Sequence, residues 1–119
     1  MRRVLAIVTL LAACSPTALR YVNRAGLAVA ESSIACDWGD TRWSASRGWA
    51  TQHERNMIMG STPSVATVDM YMAGSAAAVA AAWAALPERW RFIAWGSALI
   101  VQADAIAHNA RTTPICGAL

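Results

Sequence analysis

The sequence predicts an all-α protein: a small helical bundle that ends in an Ala-rich hairpin of two helices. Residues 70–86 carry no charged side chain and are rich in alanine, which has the highest helix propensity. A second apolar segment, 90–109, follows the Leu86-Pro87 step, and helices usually end before such a proline. The length of 119 residues allows one domain at most.

The N-terminus predicts export to a bacterial cell envelope. Arg2 and Arg3 precede an apolar run over 4–13, which is too short to cross a bilayer and is typical of a signal peptide. Residues 11–14 read Leu-Ala-Ala-Cys and resemble the lipobox of bacterial lipoproteins. The resemblance implies that the Cys14 sulfur carries lipid and that Cys14 becomes the mature N-terminus. We therefore expect a lipoprotein-type signal peptide over 1–13 and a single helical domain over 14–119.

The residue after the expected anchor bears on location. Ser15 stands where an Asp would retain a lipoprotein at the inner membrane. The resemblance therefore implies an anchored protein that faces the periplasm, at the outer membrane rather than the inner one. Two other readings stay open: an ordinary secretory signal, and an unprocessed membrane protein.

The charge balance excludes a basic surface for nucleic acid. All ten basic residues are arginine and the formal charge is +3, but removal of residues 1–13 leaves eight arginines against seven carboxylates. Nucleic-acid-binding domains concentrate basic residues on one face, and this chain has no such excess. We expect no nucleic-acid partner.

The first helix is predicted over 17–43, opened by Pro16 and stopped near Gly48. Small and apolar residues recur there at a spacing of three and four, and Asp37 and Thr41 share one face a turn apart. The stripe consists of Leu19, Val22, Gly26, Val29, Ser33 and Cys36.

The cysteines suggest an oxidising compartment. With Cys14 assigned to lipid, Cys36 and Cys116 remain as an even pair in an exported chain and are candidates for a disulfide. Closing a loop of this size stabilises a fold by roughly 4 kcal/mol through the entropy of the unfolded chain. Two buried free thiols are the alternative.

The segment after the first helix is predicted to be a short polar element with a turn at Gly60. Ser61 or Thr62 is then expected to cap the next helix, with Pro63 in the first turn, where its missing N–H costs nothing. Asp69 in the early turns would suit the positive end of the helix dipole.

A series of short motif steps runs between 34 and 109. Their residues are Asp37, Thr41, Glu54, Asn56, Gly60, Pro63, Val68, Asp69, Tyr71, Leu86, Pro87 and Asn109. The pattern resembles a group of small bacterial and phage membrane-associated proteins, which have an Asp-x-x-x-Thr step, a Glu-x-Asn-Pro step with Gly and Pro following, and two closing hydrophobic helices. This chain departs from the group at Met57, where proline is usual. The resemblance implies a compact helical protein at a membrane, and it implies no activity.

The first arm of the hairpin has a stripe of small residues, Gly74, Ala78 and Ala82, repeated every four positions. Such a stripe lets another helix approach closely, so we expect it to pack against a partner helix or a second copy of this chain. Gly96 and Ala103 would offer the matching groove within the hairpin. On this reading Gly74→Leu would disrupt the hairpin more than Ala76→Leu.

The hairpin could lie in a membrane or in a soluble bundle. About 18 apolar residues in its first arm are near the lower limit for a bilayer span, although alanine contributes little to insertion. Trp83, Trp90 and Trp95 flank the turn, as tryptophans do at a membrane interface. In a soluble bundle the same rings would fill its end. Length and the lack of charge favour membrane contact.

Five polar residues are predicted to form a structural lattice that holds the middle segment against the hairpin. Buried carboxylates need partners, and Arg42 or Arg55 could supply them, while Gln102 could bond to Ser75 or to backbone. The lattice consists of Asp37, Thr41, Glu54, Asn56 and Gln102.

A metal or catalytic site is not expected. Asp104 and His108 lie four residues apart and could reach one ion together with His53 or Glu54, but such pairs usually only hydrogen-bond. The sequence has no phosphate-binding glycine loop and no nucleophile elbow. We assign no catalytic residue, no metal and no cofactor.

These observations predict a non-enzymatic, membrane-associated envelope protein with a binding or scaffolding role. Its partners would be membrane lipid, through acylated Cys14, and a helix at the small-residue stripe. The alternative is a small polytopic inner-membrane protein with a site for a polar ligand or ion near Asp104 and His108, since ionisable groups inside a bilayer are usually functional.

Overall fold

The computed structural model describes residues 15–50 and 53–109. Three α-helices follow one another, α1 over Pro16–Ser46, α2 over Val65–Ala85 and α3 over Arg91–Asn109, with a short 3₁₀ turn at Glu88–Trp90 before α3. The described residues contain no strand, which confirms the predicted all-α class and the closing hairpin. The expected signal peptide, Cys14 and Cys116 lie outside the described residues.

Helix α1 begins and ends where the sequence indicates. Ser15 caps it by accepting a hydrogen bond from the Ala18 N–H at 3.2 Å, and Pro16 occupies the first turn. After Ser46 the chain turns through two left-handed residues, Gly48 with φ of 64° and Trp49 with φ of 59°. The strained Trp49 is held by its ring N–H, which donates to the Pro63 carbonyl at 2.9 Å.

The hydrogen bond between Trp49 and Pro63 accompanies a start of α2 that is later than predicted. Ser64 is the cap, since its hydroxyl accepts from the Thr67 N–H at 3.2 Å. The expectation of a cap at Ser61 or Thr62 is wrong, because Pro63 lies before the helix with its carbonyl bound to Trp49.

The turn over 54–60 is built from its own polar groups. The Glu54 carboxylate accepts from the Asn56 N–H at 2.8 Å, and the Asn56 side chain accepts from the Ile58 N–H at 3.0 Å. The Asn56 carbonyl accepts from the Met59 and Gly60 N–H groups, and Gly60 has the left-handed φ of 81° that the turn needs. The turn therefore closes with Met57, rather than a proline, at its tip.

Helices α1 and α3 run parallel and in register. Trp95 bonds Asn23, Asn109 bonds Asp37, and both pairs are separated by 72 residues. Four buried α1 positions recur every seven residues, as in a coiled-coil seam, and three α3 residues have the same spacing. The positions are Asn23, Ala30, Asp37 and Ser44 in α1, and Trp95, Gln102 and Asn109 in α3.

The hairpin arms contact each other less than either contacts α1. Gly74, Ala78 and Ala82 are exposed, and a Cβ added at Gly74 or Gly96 would meet nothing within 4 Å. The predicted groove between the arms is therefore wrong. Close approach occurs at Gly26 instead, where an added Cβ would lie 2.5 Å from the Trp95 ring.

A small apolar core joins the end of α1 to the start of α2. Its buried members are Trp49, Met59, Val68 and Met72, with Trp38, Ala45 and Tyr71 packed against them. This core fixes the turn over 54–60 beside the helices and so places Glu54 and Asn56.

Candidate functional site

A cavity of about 540 Å³ lies between the second half of α1, the turn over 54–60, α2 and α3. Its volume is in the range of small-molecule sites. Apolar side chains line part of it: Ile34 from α1, Met72 and Val79 from α2, and Ala98 and Ala105 from α3.

All five residues of the predicted lattice line this cavity; they are Asp37, Thr41, Glu54, Asn56 and Gln102. They do not form one lattice. Thr41 bonds Asp37 at 3.4 Å and Glu54 bonds the Asn56 backbone at 2.8 Å, and among the described residues no hydrogen bond connects these two pairs. The structure therefore brings the residues to one site but leaves the centre of that site open.

Asp37 is the most perturbed ionisable group of the site. The residue is 7% exposed, and its Oδ1 accepts from the Asn109 amide at 2.7 Å and from the Thr41 hydroxyl at 3.4 Å. Burial raises the pKa of Asp37 from 3.8 to about 6, and the neighbouring charges of Glu54 and Asp40 add to the rise, which the two hydrogen bonds oppose. Perturbed carboxyl groups of this kind are concentrated at functional sites.

The raised pKa of Asp37 predicts that ionising this group destabilises the fold. The folded chain holds the Asp37 proton more tightly than the unfolded chain does. The stability contributed by protonated Asp37 is therefore fully present below pH 3.8 and is lost as the pH rises through about 6. Asp37→Asn should abolish the loss and be more stable than wild type near neutral pH, by on the order of 2 kcal/mol, yet nearly equal to it at about pH 4.

Urea unfolding of both proteins at the two pH values measures the effect. Asp69→Asn is the matched control, because it removes a carboxylate bonded to Arg42 and Trp38 and should lower stability near neutral pH. A difference between Asp37→Asn and wild type that does not vary with pH would contradict the assignment.

Gln102 faces the cavity with an unpartnered oxygen. The residue is 8% exposed and its Oε1 has no hydrogen-bond partner among the described residues. The expected bond to Ser75 is absent there, because the Ser75 hydroxyl donates to the Tyr71 carbonyl at 2.9 Å. A buried amide oxygen without a partner carries a desolvation cost of about 1–3 kcal/mol, which a bound donor would offset.

The two arginines expected to neutralise the site bind elsewhere. Arg42 pairs with Asp69 at 3.0 Å, and Arg55 pairs with Asp104 at 3.6 Å on the exposed rim of the cavity. In the described part of the chain no ion pair reaches Asp37 or Glu54. The cavity therefore keeps an excess of negative charge.

His108, His53 and Asp104 all line the cavity, and the Asp104 side chain is 80% exposed and paired with Arg55. Within the described residues no three His, Cys, Asp or Glu side chains come together as metal ligands would.

A second buried polar cluster lies at the other end of α1 and was not predicted. Asn23 is 0% exposed, and its amide donates to both the carbonyl and the carboxylate of Glu88, at 2.7 and 2.8 Å. Its oxygen accepts from the Trp95 ring N–H at 3.1 Å. One sequence feature could have revealed this cluster: Asn23 and Asp37 in α1 have the same spacing as Trp95 and Asn109 in α3.

Arg91 extends this cluster into the hairpin turn. Its guanidinium pairs with Glu88 at 2.9 Å, donates to the Leu86 carbonyl at 3.1 Å and stacks 4.2 Å above the Trp83 ring. Trp83 and Trp95 therefore have partners inside the protein, whereas Trp90 is 43% exposed beside the turn.

Cys36 is disulfide-bonded. Its predicted partner, Cys116, is outside the described residues, so the pairing stays a prediction.

Helix α2 presents an apolar surface outside the bundle. Among the described helices it alone is long and apolar enough to cross a membrane, and its most apolar stretch has a mean hydropathy of 1.3 with only 11% of that stretch buried. A core helix of a soluble bundle would bury far more.

No family model matches the chain, and neither a curated protein nor a solved structure is significantly similar to it.

Proposed function

We propose that this protein is a non-enzymatic, membrane-associated protein of a bacterial cell envelope with a binding role. The observation that carries the proposal is the exposed surface of α2, which has no charged residue from 70 to its end and is 11% buried in its most apolar stretch. Soluble monomers rarely expose an apolar patch of more than a few hundred Å².

The lipid on Cys14 and the surface of α2 would act together. The lipobox resemblance implies a diacylated Cys14, which would anchor the chain stably, and the apolar surface of α2 would add a second contact with the same membrane. Helix α1 starts at Pro16, directly after the expected anchor, and exposes Arg20 and Arg24, which suit the water and headgroup side of the interface. This supports contact by α2 along the membrane surface.

The polytopic alternative has less support. Only α2 among the described helices qualifies as a span, and Asp104 is paired with Arg55 in an exposed position rather than enclosed between helices.

A charge on the exposed face of α2 is expected to weaken membrane binding. An Asp at the centre of an inserted helix costs about 3 kcal/mol, or roughly a hundredfold in partitioning, and somewhat less at the interface. In the Cys14→Ser background, which removes the expected acylation, Ala78→Asp should lose most of its vesicle flotation.

Ala25→Asp is the matched control, since Ala25 is also exposed and helical but lies beside Arg24 on α1. It should float like the parent. Equal flotation of the two variants, or no flotation of the parent, would count against membrane contact by α2.

A further inference from the structure

The cavity has the features of a ligand site whose occupant donates hydrogen bonds. Two acceptors are available there: the Gln102 Oε1, which is buried without a hydrogen-bond partner among the described residues, and the Asp37 carboxylate, whose two hydrogen bonds within those residues both go to Oδ1. The Glu54 carboxylate, bonded through Oε1 to the Asn56 backbone, adds another acceptor at the wall.

The charge of the site indicates the sign of the ligand. Asp37 and Glu54 are close enough that the negative charge of Glu54 raises the pKa of Asp37. Arg55 reaches only the rim, where it is bound to Asp104. A cation between Asp37 and Glu54 would offset both their repulsion and the cost of burying Asp37.

The rest of the lining limits the kind of cation. Ile34, Met72 and Val79 form an apolar wall, which suits hydrocarbon better than a hydrated ion. A compact divalent metal would need several ligands at short distance, and the described residues do not group three such side chains.

We propose that this cavity binds an organic ammonium ion, with its N–H groups donating to Asp37, Glu54 and Gln102 and its hydrocarbon part lying against Ile34, Met72 and Val79. The proposal rests on the binding role proposed above but not on membrane contact. It gives a partner to the Gln102 oxygen, which has none among the described residues, and it accounts for a buried carboxyl group whose ionisation destabilises the fold.

The test uses the full chain without vesicles and three matched probes: butylamine, butanol and butyrate. Ligand-observed NMR at neutral pH should detect butylamine binding, with butanol and butyrate at least tenfold weaker. Asp37→Asn should weaken butylamine binding about tenfold or more while remaining folded, since it is expected to be the more stable protein.

Gln102→Met keeps the side-chain size, removes the free oxygen and should weaken butylamine binding severalfold. Asp69→Asn is the control, because that carboxylate lies outside the cavity. Butylamine binding by this variant should be the same as that by wild type. Butanol binding as tightly as butylamine, or butylamine binding that survives Asp37→Asn, would overturn the proposal. These results leave vesicle flotation unaffected, so failure here is distinct from failure of the membrane proposal.

Discussion

Asn23→Ala is expected to destabilise the protein by about 3 kcal/mol, one of the two largest effects we anticipate. The substitution removes hydrogen bonds to Glu88 and Trp95 from a fully buried position, and it leaves their polar groups without partners. The cost comes mainly from those groups, because a buried donor or acceptor without a partner loses its full solvation.

Chemical denaturation followed by circular dichroism measures the loss. Ser32→Ala is the control, since that hydroxyl is exposed and bonds only the Ala28 carbonyl of its own helix. A loss in Asn23→Ala no larger than that in Ser32→Ala would show that the cluster does not hold α1 to the hairpin.

Gly26→Leu is expected to have the second large effect, lowering the free energy of unfolding by about 3 kcal/mol or more. Even the first atom of the new side chain would lie 2.5 Å from the Trp95 ring, whose N–H is bonded to Asn23. The ring must move and break that bond, or the two helices must separate. Because both variants act through Trp95, Asn23→Ala and Gly26→Leu combined should lose less than the sum of their separate effects.

Gly74→Leu is the matched control and should have the opposite sign. Space around Gly74 is open and the residue is in the interior of a helix, so a better helix former should stabilise α2 by about 0.5–1 kcal/mol. Thermal unfolding of both variants decides the matter. If the Gly74→Leu protein were less stable than the Gly26→Leu protein, the close helix contact would lie at Gly74 in the hairpin and not at Gly26.

The sequence predicted those features that depend on neighbouring residues. Pro16 opens α1, Gly48 turns the chain after it, and Pro87 separates the hairpin arms, because each acts through its own backbone. The cap of α2 was misplaced by a few residues, since the choice among Ser61, Thr62 and Ser64 is set by the distant Trp49.

Helix pairing could not be predicted in the same way. A run of small residues shows where a helix could approach, and Gly74 and Gly26 are equivalent in that respect. Which glycine makes the close contact depends on the helix that lies opposite it. The Trp95 ring lies against Gly26, whereas a Cβ added at Gly74 would meet nothing within 4 Å. The matching spacing of the bonded residues, Asn23 and Asp37 in α1 and Trp95 and Asn109 in α3, was a better guide, but it becomes visible only when two distant segments are compared at an offset of 72.

The sequence singled out residues of the candidate site, but as a structural lattice and not as a ligand site. The five lattice residues do line one cavity, but their roles differ from the expected ones, because Arg42 and Arg55 have nearer carboxylates in Asp69 and Asp104. Sequence spacing cannot rank such competing partners. The family resemblance, the lipid anchor at Cys14 and the pairing of Cys36 with Cys116 stay predictions.

The register of α1 and α3 constrains how this protein can change in length. Deleting one residue between Asn23 and Asp37 would rotate everything beyond it by about 100° and carry Asp37 away from Asn109. Only an equal deletion between Trp95 and Asn109 would restore both bonded pairs. Insertions and deletions in these two segments should therefore occur together or not at all, although the segments are far apart in the chain, whereas the turn over 54–60 is free of this coupling.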